Sequence, residues 1–216
     1  QAATWKSDPT HASIQFAVSH LMVSTVRGNF DTFDVTVMID ATDLSKSSVQ
    51  VSIDVASVNT RNEKRDGHLK SPDFFNVAEE TNKTMTFKSK KVEKVSDTEY
   101  NVTGDFTLMG VTKEVVLNVK GSPKAMKDPW GNNRLGGSAT TMINRTDYGL
   151  KYNSILDAGG VAIGEEVEIT IDLELVQEKE EREKERRNRR KERERQRRNG
   201  PRYRRALDMP LICQTI

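Results

Sequence analysis

Hydrophobic and polar positions alternate along most of the first 177 residues, and the alternation comes in short runs. Between Ser13 and His20, Ile14, Phe16, Val18 and His20 share one side of a period-two pattern, opposite Ser13, Gln15, Ala17 and Ser19. Successive side chains of a strand point to opposite faces, so this run predicts a strand with one wet side. Val35, Val37 and Ile39 repeat the code against Thr36, Met38 and Asp40, and Val49, Val51, Ile53 and Val55 repeat it against Gln50, Ser52 and Asp54. Three strands with the same code require one shared apolar interior. Further runs begin with Met85 and Phe87, then Val102, Gly104, Phe106 and Leu108. Met109-Gly110 supplies a hairpin turn into Val115, Leu117 and Val119. Gly136-Gly137 opens another run through Met142, and Val167 to Leu175 is the cleanest alternation, predicted to be antiparallel and central to closing the sheet.

One stretch breaks the pattern: Arg65-Asp66-Gly67-His68-Leu69-Lys70-Ser71-Pro72-Asp73-Phe74-Phe75. Its charged front, Leu69 and a Ser71-Pro72 helix-start signal predict a short helical insertion near 62–76 that sets Phe74 and Phe75 on an apolar surface. A lid or end plug is one reading, and a surface crossover whose phenyl pair fills core is the other. Eight or nine short strands without a second helical block favour an all-β, lipocalin-like antiparallel barrel of eight strands. Such a barrel has room for packed side chains or for one ligand. Several inward positions are Val or Gly rather than Leu or Phe, which makes a cavity plausible.

The 216 residues do not form one compositional object. Residues 178–216 hold 15 of the 34 Lys+Arg and 8 of the 32 Asp+Glu, leaving the tail at +7 and the body, 1–177, at −5. An acidic body argues against nucleic acid as its ligand, because phosphate binding is driven by clustered Lys and Arg. Residues 178–199 alternate Glu with Arg and Lys and carry almost no apolar side chain, so they read as a charged helix or disordered arm. Asn199-Gly200-Pro201 stops it, and 200–216 form a separate tail. The stretch from Arg186 to Arg205, with Tyr203 among its arginines, is the alternative source of function: binding to nucleic acid or an anionic surface.

Candidate catalytic chemistry is sparse. The one cysteine, Cys213, lies in the tail, and Gly-x-Ser-x-Gly is missing. His11, His20 and His68 are the only histidines and show no metal-ligand spacing, so no metal or cofactor is expected. His20 closes an otherwise apolar face near a strand end. It reads either as a structural hydrogen-bonding residue at a barrel mouth or as a polar contact for the head of an apolar ligand. No run of 18 apolar residues occurs. A start at Gln1-Ala2-Ala3 is consistent with an export signal already removed, hence an expectation of a periplasmic protein.

Five blocks carry a family resemblance: Asp8-Pro9-Thr10-His11 with Ile14, Phe16, Val18 and His20; Val26-Arg27-Gly28-Asn29-Phe30 with Phe33; Arg65 through Phe75; Phe106-Thr107-Leu108-Met109-Gly110-Val111-Thr112-Lys113; and Arg145-Thr146-Asp147-Tyr148-Gly149-Leu150. In this order they resemble the YceI-like, polyisoprenoid-binding family over residues 4–176, with Tyr148 where the family often has Phe. The resemblance implies an extended barrel, periplasmic in bacteria, holding an isoprenoid chain such as a quinone or polyprenyl lipid. The tail from Glu178 is outside it.

The combined expectation is a non-enzymatic carrier or sequestering protein for a long isoprenoid lipid. Its lumen would be lined by Ile14, Phe16, Val18, Val35, Val37, Val51, Ile53, Phe87, Phe106 and Leu117, with His20 at the mouth and Phe74 and Phe75 closing one end. Each buried methylene contributes about 0.8 kcal/mol, so affinity should grow with chain length until the lumen is full. A homodimer is left open.

Overall fold

Twelve strands, one α-helix and four short 3-10 turns account for the regular structure of the residues described by the computed structural model, 2–121, 124–157 and 159–178. The strands are β1 (Ala3–Ser7), β2 (Ser13–His20), β3 (Ser24–Phe30), β4 (Phe33–Ile39), β5 (Ser48–Asp54), β6 (Val58–Asn59), β7 (Thr84–Lys94), β8 (Glu99–Leu108), β9 (Val111–Gly121), β10 (Met126–Lys127), β11 (Asn133–Asn144) and β12 (Ile163–Gln177). All pairings are antiparallel, and the sheet closes on itself because β12 pairs with β11 along one edge and with β2 and β1 along the other.

Register shows why twelve segments make an eight-stranded barrel. Ser13 pairs with Asp172 and Ser7 with Leu175, so β1 and β2 lie end to end along the same edge of β12. β4 and β3 line up against them, with Trp5 opposite Val37 and Ile14 opposite Phe30. β5 and β6 follow in turn, pairing with β4 and β3. Three strands are thus bent once each, and with β7, β8, β9, β11 and β12 they complete the ring. The short β10 extends the β11 edge. This is the expected eight-stranded antiparallel barrel, and the last strand is its seam.

The helix α1 (Glu63–Lys70) sits where an insertion was predicted, but its boundaries differ. Asn62 is the N-cap, its side chain accepting from the Arg65 amide at 2.9 Å, and Ser71 is the C-cap rather than a helix start. Pro72 disfavours continuation of the helix because the residue before a proline is pushed out of the α region. No residue of α1 is fully buried; Leu69 packs against the main core cluster, and side-chain hydrogen bonds hold the start of the helix. Asp66 accepts from the Thr60 amide at 2.9 Å, and Arg65 donates through Nε to Thr60 Oγ1 and through Nη2 to the Thr60 carbonyl, both at 2.8 Å. No helix of the described residues is long and apolar enough to cross a membrane.

The interior differs between the two ends. At the end holding the start of β1 and the close of β12, Trp5, Leu135 and Leu175 form a packed cluster with Val37, Ile39 and Leu173. At the other end, inward apolar residues belong to a larger cluster that also takes in Phe74, Phe75, Tyr148 and Leu150. The charged arm and tail expected beyond Glu178 lie outside the described residues.

Candidate functional site

The larger cluster does not fill the barrel. A cavity of about 420 Å³ opens inside it, within the usual range of ligand pockets, roughly 300–1,000 Å³. Ile14, Phe16, Val18 and His20 reach it from β2, Val51 and Ile53 from β5, Phe87 from β7, Phe106 from β8 and Leu117 from β9. Phe74 and Phe75 reach it from the segment after α1 and are both buried. Phe75 packs edge-on to Phe30 at 6.2 Å between ring centroids, and Phe74 meets His68 edge-to-face at 5.0 Å and Tyr152 at a tilt at 4.9 Å. The two phenyl groups therefore cover one end of the cavity.

Two expected lining residues are elsewhere. Val35 is wholly buried in packed core and Val37 packs against both clusters; neither reaches the cavity wall. The alternation put them correctly on the inner face. What it could not show is that Trp5, paired opposite Val37, fills that end of the barrel.

Two glycines shape the wall. A β-carbon on Gly28 would lie 2.5 Å from the Phe16 ring, and one on Gly104 would lie 2.5 Å from the Phe87 ring. Each ring lies over a neighbouring strand where any side chain would displace it. A small residue across from an aromatic leaves the phenyl flat along the wall instead of projecting into the lumen.

Polar wall residues gather at the covered end. The His68 ring lies 2.8 Å from Asp73 Oδ2 and packs on Tyr152 at 5.0 Å. Arg145 follows the last inward residue of β11, Ile143, by two positions, so it continues the inner face. The residue is 4% exposed, and its guanidinium donates through Nε to the Gly164 carbonyl at 2.7 Å, through Nη2 to that of Ile163 at 3.3 Å, and through Nη1 to that of Leu150. Removal from water pushes its pKa down, the nearby Glu165 charge only partly opposing this. Arg65, His68, Arg145 and Tyr152 were not among the expected site residues. Period-two counting one step past Ile143 would have found Arg145; nothing in the local pattern pointed to Tyr152.

Comparison with known proteins bears on this geometry. The YceI-like domain matches residues 5–175. The chain belongs to that family. A UPF0312 protein of Staphylococcus aureus (strain N315) is 41% identical over 161 residues, covering 74% of this chain and 90% of the relative. Among solved structures, a Campylobacter jejuni YceI protein is 32% identical with a TM-score of 0.62, covering 75% of this chain and 90% of its own. A polyisoprenoid-binding domain from Saccharophagus degradans shares the fold at a TM-score of 0.57 and 19% identity, covering 82% of this chain and 100% of that domain. The YceI-like barrel here thus has a family, a hollow end and a set of polar groups beside it.

Proposed function

We propose that this protein holds a long isoprenoid-type lipid in the hollow end of its barrel and carries or sequesters it without transforming it. The observation that carries this reading is the cavity itself: a wall of Ile, Val, Leu and Phe side chains, enclosed by a closed sheet, with polar groups concentrated at one end. Apolar lining gives affinity in proportion to the hydrocarbon area removed from water, and a few polar groups fix which way round the ligand lies. The Saccharophagus degradans domain, described as polyisoprenoid-binding, supports the choice of ligand class. The role suits an aqueous compartment between membranes, such as a periplasm, where an apolar chain needs a sheath.

Phe16→Glu and Phe106→Glu test it. Each places a carboxylate in the wall, so lipid that co-purifies with the unaltered protein should be lost while the far-ultraviolet spectrum of the barrel is kept. Lipid retained at the original stoichiometry by both folded variants would remove the cavity as the binding site.

A further inference from the structure

Two loops at the hollow end turn apolar side chains to solvent. Between β2 and β3, Met22 is 70% and Val23 83% exposed, and between β11 and β12 Ile155 is 87% exposed. The loops are joined: the Leu21 amide donates to the Ala162 carbonyl at 2.8 Å, and the Ala162 amide donates to the Ser154 carbonyl at 2.9 Å. Ile155 forms a β-bridge with Val161, and a β-carbon on Gly160 would lie 2.5 Å from Met22 Sδ. Leu21, Met22, Val23, Ile155 and Val161 therefore share one rim. His20, Ser154 and Ala162, their immediate neighbours in the chain, line the cavity.

Folding alone does not ask for these residues. The Val23 amide donates to the His20 carbonyl at 3.1 Å across Leu21 and Met22, whose φ values are 52° and 59°. Positive φ at both central residues is the backbone of a type I′ turn, which favours Gly, Asn and Asp and strains a bulky apolar residue. Large apolar groups gathered in one exposed place mark a surface that meets a protein or a membrane. Five side chains fall far short of the roughly 20–30 residues per side of a stable protein interface, which argues against a second copy as the occupant. Residues 21–23 and 152–162 hold one charged side chain, Asp157, so the rim is nearly neutral in a body with a net charge of −5.

We propose that this rim dips into the surface of a lipid bilayer and docks the barrel with its cavity at the membrane. The contact is made by hydrocarbon side chains and needs no anionic head groups. Its use, passing a chain between membrane and cavity without crossing water, rests on the isoprenoid reading above; the docking itself does not.

The test is flotation of the full-length protein with phosphatidylcholine vesicles, at raised salt to screen the +7 charge of residues 178–216. Unaltered protein should float with the vesicles. Met22→Asp and Ile155→Asp should each lower the partition coefficient roughly tenfold or more, because each replaces a hydrocarbon contact by a carboxylate. Aspartate is among the residues that accept positive φ, so Met22→Asp should fold. Met126→Asp, at a similarly exposed methionine of the packed end, should float like the unaltered protein. No flotation of the unaltered protein, flotation undiminished in both rim variants, or an equal loss in Met126→Asp would overturn the proposal. A dimer seen by analytical ultracentrifugation without vesicles, and split by the rim variants, would overturn it too by making the rim an interface between copies. Uptake of geranylgeraniol in solution separates this from the cargo reading: protein that floats, loses flotation in the rim variants and takes up no geranylgeraniol would keep the docking and sink the isoprenoid cargo.

Discussion

An arginine stands at each end of β11, Arg134 within the strand and Arg145 just beyond its last residue, and the two live in opposite surroundings. Arg134, at the packed end, is held by three carboxylates: Asp8 Oδ2 at 2.7 Å, Asp128 Oδ2 at 2.8 Å and Glu174 Oε1 at 2.5 Å. These come from the bend between β1 and β2, from the turn before β11 and from β12, so the guanidinium ties the barrel seam together. It also holds the Asp8 and Asp128 carboxyls below the usual range, Asp128 at about 2. Asp8, His11 and Glu174 bring ligand-type atoms within 4.8 Å of one another, but the cation there is already Arg134. Arg145, beside the hollow end, is more deeply buried and has only carbonyl partners. One arginine completes a structural knot. The other has no carboxylate bonded to it, only the charge of Glu165 nearby, and sits next to a space that the fold does not fill.

If the ends divide this way, damage to each should read out differently. Trp5→Ala at the packed end should cost the most stability, about 3–5 kcal/mol from lost burial and the cavity created, visible as a lower denaturant midpoint. The folded fraction should still retain lipid. Loading the hollow end should act in the opposite direction: ligand at 100 times its Kd adds about 2.7 kcal/mol, raising the melting temperature by roughly 5–10 °C. Gly104→Ala should cost about 1–3 kcal/mol by overpacking against the Phe87 ring and the Lys88 carbonyl, and should weaken ligand binding if the ring turns into the lumen. Loss of stability without loss of affinity would show that the glycine serves folding only.

The smallest effect concerns acid. Asp8 and Asp128 titrate lower in the folded chain than their ordinary value of about 3.9. The stability they contribute is therefore fully present above that value and is lost as the pH falls towards 2. Arg134→Met should be less stable than the unaltered protein at neutral pH, and the gap should narrow between pH 4 and 2 in urea titrations. A gap independent of pH would mean that the carboxylates gain nothing from the arginine.

The division between ends was the part least legible in the sequence. Alternation at Ile14, Phe16 and Val18, at Val51 and Ile53, and at Phe106 identified strands, inner faces and a closed antiparallel barrel, because period two is a local property of the chain. Whether an inward residue meets a void or a neighbour is not local. Val35 and Phe87 carry the same signal, yet one is sealed in core and the other lines the cavity, since what decides is the side chain that arrives from across the barrel. Trp5 was such an arrival. Ser71-Pro72 misled because a serine before a proline resembles a helix start, while Asn62, the actual cap, needed only the inspection of one earlier position. Arg145 lay within a recognised block and one alternation beyond Ile143, so its inward direction was readable, but its want of a carboxylate partner was not.

A hollow end made for a long apolar chain should be occupied in the purified protein. Organic extraction of the purified full-length protein, followed by mass spectrometry of the extract, measures this most directly. An isoprenoid-type lipid is expected at close to one per barrel, absent from extracts of Phe106→Glu. An empty extract from protein that also fails to take up added isoprenoids would contradict it.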